Sequence, residues 1–552
     1  MRIICCCLNA KYIHSSPAPW CLAAGVDSFC SNINIEIEVL ESTINSDPYK
    51  IINEIVNKTP DIVTFSCYIW NITQTLLIAE KIKETLETKI VLGGPEVSYR
   101  SKDVLYNYSF VDFVLSGEGE WCFSDLVNAI NAQRNLFSVQ GLTFRYSNKI
   151  VQTDEAVYPD TPPSPFSDKY IATLNNRIAY IESSRGCPFR CAYCLSGRVS
   201  KLRFFDLSQI KKDIIALVNS GVQTIKFVDR TFNASKNHCN SILAFIKNNF
   251  NDFNNRLTFH FEISADILDE STIEILSSLP PGLVQLEIGI QSYNPDVLER
   301  INRKCNLEKL EENIKKLISF NNMHIHIDLI AGLTEENLES FIDGFNKAYR
   351  LKANMLQLGF LKLLYGSDMR EIPEKYPCNY NDFPPYEVIS TPWLTDEHIT
   401  LIKYCEIALD KLYNSGRFLL TLDYLLQATN LTPFALFLKF GSFCSLVELT
   451  LKDLSLMLFN CFKNDCNSQI LREKICCDLI SSGANINLPQ ELKVYSPLYK
   501  RLTKYFSEKY QRNIKIVILE SSNKVFVISD FKKDLSGRYN GTVYDINNII
   551  FQ

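Results

Sequence analysis

The sequence has no long uncharged apolar run, no basic excess, and no repeat or low-complexity tract. Its most apolar-looking stretch, residues 446–462, carries Glu448, Lys452 and Asp453, and is too short and too charged to span a bilayer. The formal charge of −5 gives no strong nucleic-acid signal, although it leaves room for a local basic patch. The start, MRIICCCLNA, lacks the layout of a signal peptide. We therefore expect a soluble, cytoplasmic chain with no membrane partner.

The 19 cysteines follow from the same expectation. In a reducing compartment most cysteines act as small buried hydrophobes rather than as disulfide partners. Cys5, Cys6 and Cys7 illustrate this, because they sit in an apolar run that is typical of a first strand.

Residues 1–135 alternate short apolar runs with amphipathic ones. Alternating strands and helices predict an open, doubly wound parallel sheet that is covered on both faces. Ligands of such sheets bind at the carboxyl ends of the strands. The predicted strands are RIICCCLN, INIEIEVLE, DIVTFSCYI, KIVLGGP and FVDFVLSGEGE, and the predicted helices lie around 17–30, 47–58, 72–87 and 120–132.

A hairpin is predicted at 141–153, with its turn at Ser147–Asn148, and a proline-rich linker follows at 158–168. From about 178 a second alternation begins, with six predicted strands in roughly 190 residues: IAYIESSRG, TIKFVDR, TFHFEIS, LVQLEIGIQS, HIHIDLIAGL and MLQLGFLKL. This pattern predicts a partial (β/α)6 barrel of the TIM type, whose chemistry belongs at the carboxyl ends of its strands.

After about 376 the sequence becomes helical, with periods at 396–414, 432–440, 446–463 and 467–482, and it ends in two strand-like runs within 514–531. We predict an α-rich domain of unknown function here. The domain division predicted from the whole sequence is 1–135, 136–168 (hairpin and linker), 169–375 and 376–552.

The motif that decides the chemistry is SSRGCPFRCAYCLSG, residues 183–197, which holds Cys187, Cys191 and Cys194 in the spacing C-x3-C-x2-C. A structural zinc site normally has four closed ligands, and His238 and His260 do not follow the required spacing. Three thiolates instead suit a [4Fe–4S] cluster with one iron left open to a substrate or cofactor. The motif directly follows the predicted first strand of the barrel.

This pattern resembles the radical S-adenosylmethionine (SAM) enzymes over about residues 165–370. In that family the cysteine loop binds the cluster, and SAM chelates the open iron through its amino and carboxylate groups. Further motifs fall where the family has them: VDRTFN, FEIS, EIGIQS, INRKC and DLIAGLT. The usual glycines are missing from VDRTFN, so backbone carbonyls of Val228 and Asp229 are expected to hold the SAM amino group. The resemblance implies a SAM site made by Tyr193, Val228, Asp229, Glu262, Gln291, Arg303 and Asp328.

The first domain resembles the Rossmann-like cobalamin-binding domain of B12-dependent radical SAM proteins, because GGPE and GEGE follow its fourth and fifth strands. Glycines let the backbone approach a large flat corrin. The Asp-x-His-x-x-Gly signature, whose histidine ligates cobalt in many B12 proteins, is absent. His14 occupies the corresponding loop, although binding without a protein histidine is favoured. The implied cobalamin site comprises His14, Ser66, Tyr68, Gly93, Gly94, Pro95, Gly117, Glu118 and Gly119.

The resemblance implies reductive cleavage of SAM to methionine and a 5′-deoxyadenosyl radical, followed by methylation of an unactivated carbon of an unknown small molecule. A one-electron reductant such as flavodoxin or ferredoxin is the implied partner. Three alternatives stay open: a non-methylating radical rearrangement or oxidation, RNA modification, and a non-catalytic corrinoid or iron–sulfur carrier. A carrier does not need Glu262, Gln291, Arg303 and Asp328, and the acidic net charge argues mildly against RNA.

Overall fold

The computed structural model describes residues 1–30, 34–198, 201–251, 257–444, 449–484, 487–493, 496–535 and 537–550. The described chain divides into two compact units. The first comprises residues 1–284, 301–304 and 362–388, and the second comprises 285–300, 305–361 and 389–552. No helix in these described ranges is both long and apolar enough to cross a membrane.

The first unit begins with a seven-stranded sheet in the order β2-β1-β3-β4-β5-β6-β7. β1 to β5 run parallel, and the predicted hairpin, β6 and β7, extends the sheet antiparallel at its β5 edge. β1, β3, β4 and β5 are mostly apolar because helices cover both faces of the sheet there, whereas β2, at the sheet edge, alternates charged and apolar residues. The elements are β1 (Arg2–Asn9), α1 (Pro17–Phe29), β2 (Glu36–Thr43), α2 (Pro48–Lys58), β3 (Ile62–Ser66), α3 (Ile72–Thr85), β4 (Lys89–Gly93), α4 (Pro95–Ser98), α5 (Ser101–Asn107), β5 (Phe113–Leu115), α6 (Gly119–Asn131), β6 (Leu142–Tyr146) and β7 (Lys149–Gln152).

The same unit continues into the first repeats of the second alternation. β8, β11 and β12 are parallel neighbours, and the short antiparallel pair β9/β10 lies just after β8. Period-two alternation buries Ile225 and Phe227 on one face and leaves Tyr180, Lys226 and Glu262 on the opposite, polar face. The elements are α7 (Asp168–Ala172), β8 (Ala179–Ile181), β9 (Ser184–Arg185), β10 (Arg203–Phe204), α8 (Leu207–Asn219), β11 (Thr224–Phe227), α9 (Lys236–Phe250), β12 (Thr258–Ile263) and α10 (Glu270–Ser277).

The second unit holds the later repeats, in which β13, β14 and β15 are parallel neighbours. Residues 362–388, with α14 and β16, belong to the first unit. β13, β14 and β15 lie within a few residues of the predicted strands, whereas β16 and β17 were not predicted. The elements are β13 (Val284–Gln291), α11 (Pro295–Arg300), α12 (Leu307–Ser319), β14 (His324–Ala331), α13 (Leu338–Arg350), β15 (Met355–Phe360), α14 (Asp368–Glu371), β16 (Asn379–Tyr380) and β17 (Val388–Ser390).

The rest of the second unit is α-rich, as predicted, and closes with a small antiparallel sheet in the order β18-β19-β20. Four of its helices match the predicted periods, although residues 446–448 of the third period lie outside the described ranges. α16 was missed because LLTLDYLLQA is apolar on nearly every side and shows little period. The elements are α15 (Asp396–Leu409), α16 (Leu419–Ala428), α17 (Pro433–Cys444), α18 (Leu451–Phe462), α19 (Ser468–Ser481), α20 (Tyr499–Tyr510), β18 (Lys515–Leu519), β19 (Lys524–Ile528), β20 (Thr542–Asp545) and α21 (Asn547–Ile550).

Candidate active site

The three motif cysteines lie on one loop that starts directly after β9. The N–H of Cys194 donates to the carbonyl of Cys191 at 3.0 Å, which closes a tight turn between two of them. Backbone hydrogen bonds anchor this turn: Ala192 N–H donates to Ile301 O at 2.8 Å, and Met369 N–H donates to Ala192 O at 3.0 Å. All 19 cysteines are free, so no disulfide withholds a thiol from a metal.

Arg303 brings a positive charge to the cysteine loop. Its Nη1 lies 3.8 Å from the Sγ of Cys191, and its guanidinium lies 5.9 Å from the ring centroid of Phe189. Burial raises the pKa of the Cys191 thiol, while Arg303 acts in the opposite direction. A guanidinium beside buried sulfur favours the thiolate, which is the form that binds iron. The donor set therefore fits an iron–sulfur cluster.

Asp229 is buried, and its carboxylate binds two serines just ahead of the cysteine loop. It accepts hydrogen bonds from Ser183 N–H at 2.9 Å, Ser183 Oγ at 2.6 Å and Ser184 Oγ at 2.5 Å. Burial raises the pKa of Asp229 to about 6 despite these hydrogen bonds. Because these hydrogen bonds occupy the Asp229 carboxylate, a SAM contact at this residue would use its backbone atoms, as predicted. The N–H of its neighbour Val228 donates to Ile181 O at 2.9 Å.

Glu262 lies in β12, on the polar face of the first-unit strands. Its Oε1 is 3.5 Å from Nζ of Lys226 in the neighbouring β11, and both side chains are about one quarter exposed. This separation is long for a charge-assisted hydrogen bond, so the pair is loose.

The second unit holds the other two predicted SAM residues. Gln291 ends β13 with a φ of +71°, at an irregularity in the pairing with β14. Such a backbone is uncommon for a residue with a side chain and is concentrated at functional sites. Asp328 in β14 has its Oδ1 3.0 Å from Nε2 of His326, and one ligand atom from each of Glu287, His326 and Asp328 lies within 4.8 Å of the others.

The first unit contains a cavity of about 670 Å³ at the carboxyl ends of its strands. This volume is within the range of ligand and cofactor sites. Its wall combines the ends of β1, β3, β4 and β5 with residues of the linker and of the later strands, including Tyr180, Glu182, Val228 and Arg230. The predicted cobalamin residues that line it are His14, Ser66, Tyr68, Gly93, Gly94, Gly117, Glu118 and Gly119, whereas Pro95 is not among the lining residues.

Some glycines of this wall make room for neighbouring protein atoms, and one makes room for the cavity. At Gly94, with φ +104°, a Cβ would lie 2.5 Å from the carbonyl oxygen of Cys67, and at Gly117 it would overlap the hydroxyl of Tyr158. Protein atoms therefore explain these two glycines. At Gly93 a Cβ would meet only Leu115 O at 3.8 Å, so the free space there faces the cavity. Gly93 is the glycine that fits the predicted approach of a flat cofactor.

His14 lies in the loop after β1, which pairs with the start of β8. The N–H of Ile178 donates to Ile13 O at 2.7 Å, and Nδ1 of His14 is 2.6 Å from the Tyr180 hydroxyl. Burial and the nearby cations Lys11, Lys226 and Arg177 lower the pKa of His14, which keeps the imidazole neutral.

Sequence reasoning missed the ion pairs of the cavity wall. Arg185 binds Glu118, Glu120 and Glu182, each at 2.7 Å, and Arg203 also binds Glu118. The available signal was the charge of GEGE, because buried carboxylates at a strand end require partners. Arg185 stands two residues ahead of Cys187 and was the nearest candidate in the motif.

Three family models match the chain. "B12 binding domain" matches residues 17–127, "Radical SAM superfamily" matches 181–345, and "Protein of unknown function (DUF4080)" matches 374–535. The matches to the first two confirm the predicted cofactor set of a [4Fe–4S] cluster, SAM and cobalamin.

Among curated proteins, the chain is 29% identical over 314 residues to 2-(S-pantetheinyl)-carbapenam-3-carboxylate methyltransferase of Streptantibioticus cattleyicolor. It is 28% identical over 318 residues to the cobalamin-dependent radical SAM methyltransferase TokK of Streptomyces tokunonensis. Each alignment covers 52% of this chain and 44% of the relative, so the chain spans less than half the length of these two proteins.

Solved structures share the fold. TsrM of Kitasatospora setae, solved with cobalamin and a [4Fe–4S] cluster, aligns at a TM-score of 0.57 and 18% identity over 70% of this chain and 79% of that chain. OxsB, a cobalamin-dependent SAM radical enzyme, aligns at a TM-score of 0.60 and 15% identity over 92% of this chain and 84% of that chain. The chain therefore contains a B12-binding domain over residues 17–127 and a radical SAM domain over residues 181–345.

Proposed function

We propose that this protein is a cobalamin-dependent radical SAM methyltransferase that acts on an unactivated carbon of a small molecule. The observation that carries the proposal is the cavity of the first unit. One wall comes from strand ends of the B12-binding domain, and the other comes from β8 and the residues after β11 in the radical SAM domain. A cofactor bound there would lie beside Arg185, which leads into the cysteine loop. Bound together, the cluster, SAM and cobalamin supply a 5′-deoxyadenosyl radical and a transferable methyl group.

The residue roles are part of this proposal. Cys187, Cys191 and Cys194 would hold the cluster, and Arg303, whose Nη1 lies 3.8 Å from the Sγ of Cys191, favours the thiolate there while meeting the SAM carboxylate. Val228 and Asp229 offer backbone oxygens to the SAM amino group. Tyr193 and Glu262 complete the first-unit part of the SAM site, and Gln291 and Asp328 of the second unit remain SAM residues predicted from the sequence. Neutral His14, hydrogen-bonded to Tyr180, would line the cobalamin side of the cavity.

The domain division 1–135, 136–168, 169–375 and 376–552 remains a proposal, as does a flavodoxin or ferredoxin reductant. The substrate is proposed to be a small molecule because two of the relatives are named for small-molecule or cobalamin-dependent methyl transfer.

The SAM assignment is tested through Arg303. Arg303→Gln is expected to weaken SAM binding to the reconstituted protein by about tenfold, because a charge-assisted hydrogen bond to the carboxylate is lost. Equilibrium dialysis with labelled SAM measures this affinity, and iron content confirms that the cluster is loaded.

Arg300→Gln is the matched control. Arg300 is close in sequence but pairs with Glu335 at 3.0 Å, with its side chain 37% exposed, so SAM affinity is expected to stay unchanged. Unaltered SAM affinity in Arg303→Gln, at full iron content, would remove Arg303 from the SAM site.

A further inference from the structure

The cysteine loop is closed at its base by the pair β9/β10, in which Arg185 lies opposite Arg203. We call this two-residue pair the neck. Residues 184–185 lead into the loop and residues 203–204 lead out of it. Gly186, between Arg185 and Cys187, has φ +100°, and a Cβ there would lie 2.9 Å from Lys201 O. The neck is therefore tightly joined to the first cluster ligand.

Both arginines of the neck grip the same carboxylate. Glu118 accepts from Arg185 Nη1 at 2.7 Å through one oxygen and from Arg203 through the other. Arg185 also reaches Glu120 at 2.7 Å. The side chains of these four residues, which we call the clamp, are at most 17% exposed.

The clamp joins the neck of the cysteine loop to the wall of the first-unit cavity. Glu118 lies in the loop after β5 and Glu120 lies in the first turn of α6, and both line the cavity, as does Arg185. Charges this shielded from water are costly to leave unpaired, so the neck and the cavity loop are held in one arrangement. A ligand that orders one of them lowers the cost of ordering the other.

We propose that the clamp couples cobalamin binding to the state of the cysteine loop, with Arg185 and Arg203 as positioning residues. The inference rests on the proposed function, because it takes the cavity as the cobalamin site. A bound cluster orders the cysteine loop and, through the neck, fixes the position of Glu118. Cobalamin then binds to a cavity wall that is already preorganised. The coupling is reciprocal, since it is a property of binding free energies.

The experiment measures the Kd of hydroxocobalamin, by equilibrium dialysis, for the full chain with and without its reconstituted cluster. The readout is the ratio of the two values. For the parent protein we expect binding about tenfold tighter with the cluster present. For Arg203→Gln we expect a ratio near one, and for Arg203→Lys, which keeps the charge but loses the fork, an intermediate ratio.

Glu118→Gln provides a second variant should Arg203→Gln fail to fold. It alters a cavity contact in both cluster states, so the ratio still reports coupling and is expected to approach one. Arg2→Gln is the control, because Arg2 pairs with Glu36 at 2.9 Å at the opposite end of β1, with side chains 43% and 66% exposed. Its ratio should equal that of the parent.

The outcomes separate the two claims. Absence of hydroxocobalamin binding in the cluster-loaded parent overturns the proposed function and the coupling together. Binding with a parent ratio near one, or a parent-like ratio in both Arg203→Gln and Glu118→Gln, overturns the coupling and leaves the proposed function standing.

Discussion

At the scale of single residues, Gly93 gives the sharpest test of the cavity. Its backbone is outside the left-handed region, and a side chain there has room on the protein side. Gly93→Leu is therefore expected to fold normally and to weaken hydroxocobalamin binding by about tenfold or more, because the added carbons occupy the cofactor's space. Dialysis measures the affinity, and the thermal midpoint measures the fold.

Two further variants calibrate this result. Gly93→Ala adds one carbon and should produce a smaller loss. Gly94→Ala, with its Cβ 2.5 Å from Cys67 O at φ +104°, should lower the thermal midpoint instead. Unchanged cobalamin affinity in well-folded Gly93→Leu would mean that the cofactor does not occupy this part of the cavity.

Glu336 carries a pH prediction. It is buried, accepts a hydrogen bond from Ser292, and has its pKa raised from 4.5 to about 7 by burial. The native state thus binds the proton more tightly than the unfolded state, so the stabilisation is complete below about pH 4.5 and is lost as pH rises to about 7. Glu336→Gln has no proton to lose, and should raise stability at about pH 8 by up to about 3 kcal/mol.

Denaturant unfolding near pH 5 and near pH 8 measures the effect. The gain of Glu336→Gln should be present at the higher pH and largely absent at the lower one. Glu335→Gln is the control, since Glu335 is 40% exposed beside Arg300 and should show no such pH-dependent gain. An equal effect of Glu336→Gln at both pH values would contradict a protonated native Glu336.

At the scale of elements, the cysteine loop is expected to bind the cluster through all three of its cysteines. Cys191→Ala is expected to lower the iron bound after reconstitution to near background, because a cluster held by two thiolates is poorly retained. Iron and sulfide analysis measures it.

Cys239→Ala is the matched control, since Cys239 is a buried thiol in α9, outside the loop. It should retain parent levels of iron. Full iron content in Cys191→Ala would exclude this cysteine as a ligand.

The helices and strands were the part of the structure that the sequence predicted best. β1 was predicted residue for residue, and β12 to β14 nearly so, because apolar runs and period-two alternation mark strands directly. β20 and α16 were missed: TVYD is half exposed, and α16 is apolar on nearly every side. Neither carries the periodic contrast that such reasoning needs.

At the scale of the whole molecule, the site was predictable where one motif carries it and obscure where distant segments meet. Cys187, Cys191 and Cys194 share one short loop, so spacing alone revealed them. The ion pair between Arg203 and Glu118 joins residues 85 positions apart, so no local sequence pattern could predict it. The same holds for Tyr180 and His14, which are 166 positions apart.

The most direct test of cobalamin-dependent radical SAM chemistry in this protein uses SAM with a deuterated methyl group. The protein is reconstituted anaerobically with iron, sulfide and hydroxocobalamin, reduced with dithionite, and analysed by mass spectrometry. We expect both 5′-deoxyadenosine and methylcobalamin that carries the deuterated methyl group. Neither product, from protein with a full cluster and bound cobalamin, would contradict it and favour a corrinoid or iron–sulfur carrier.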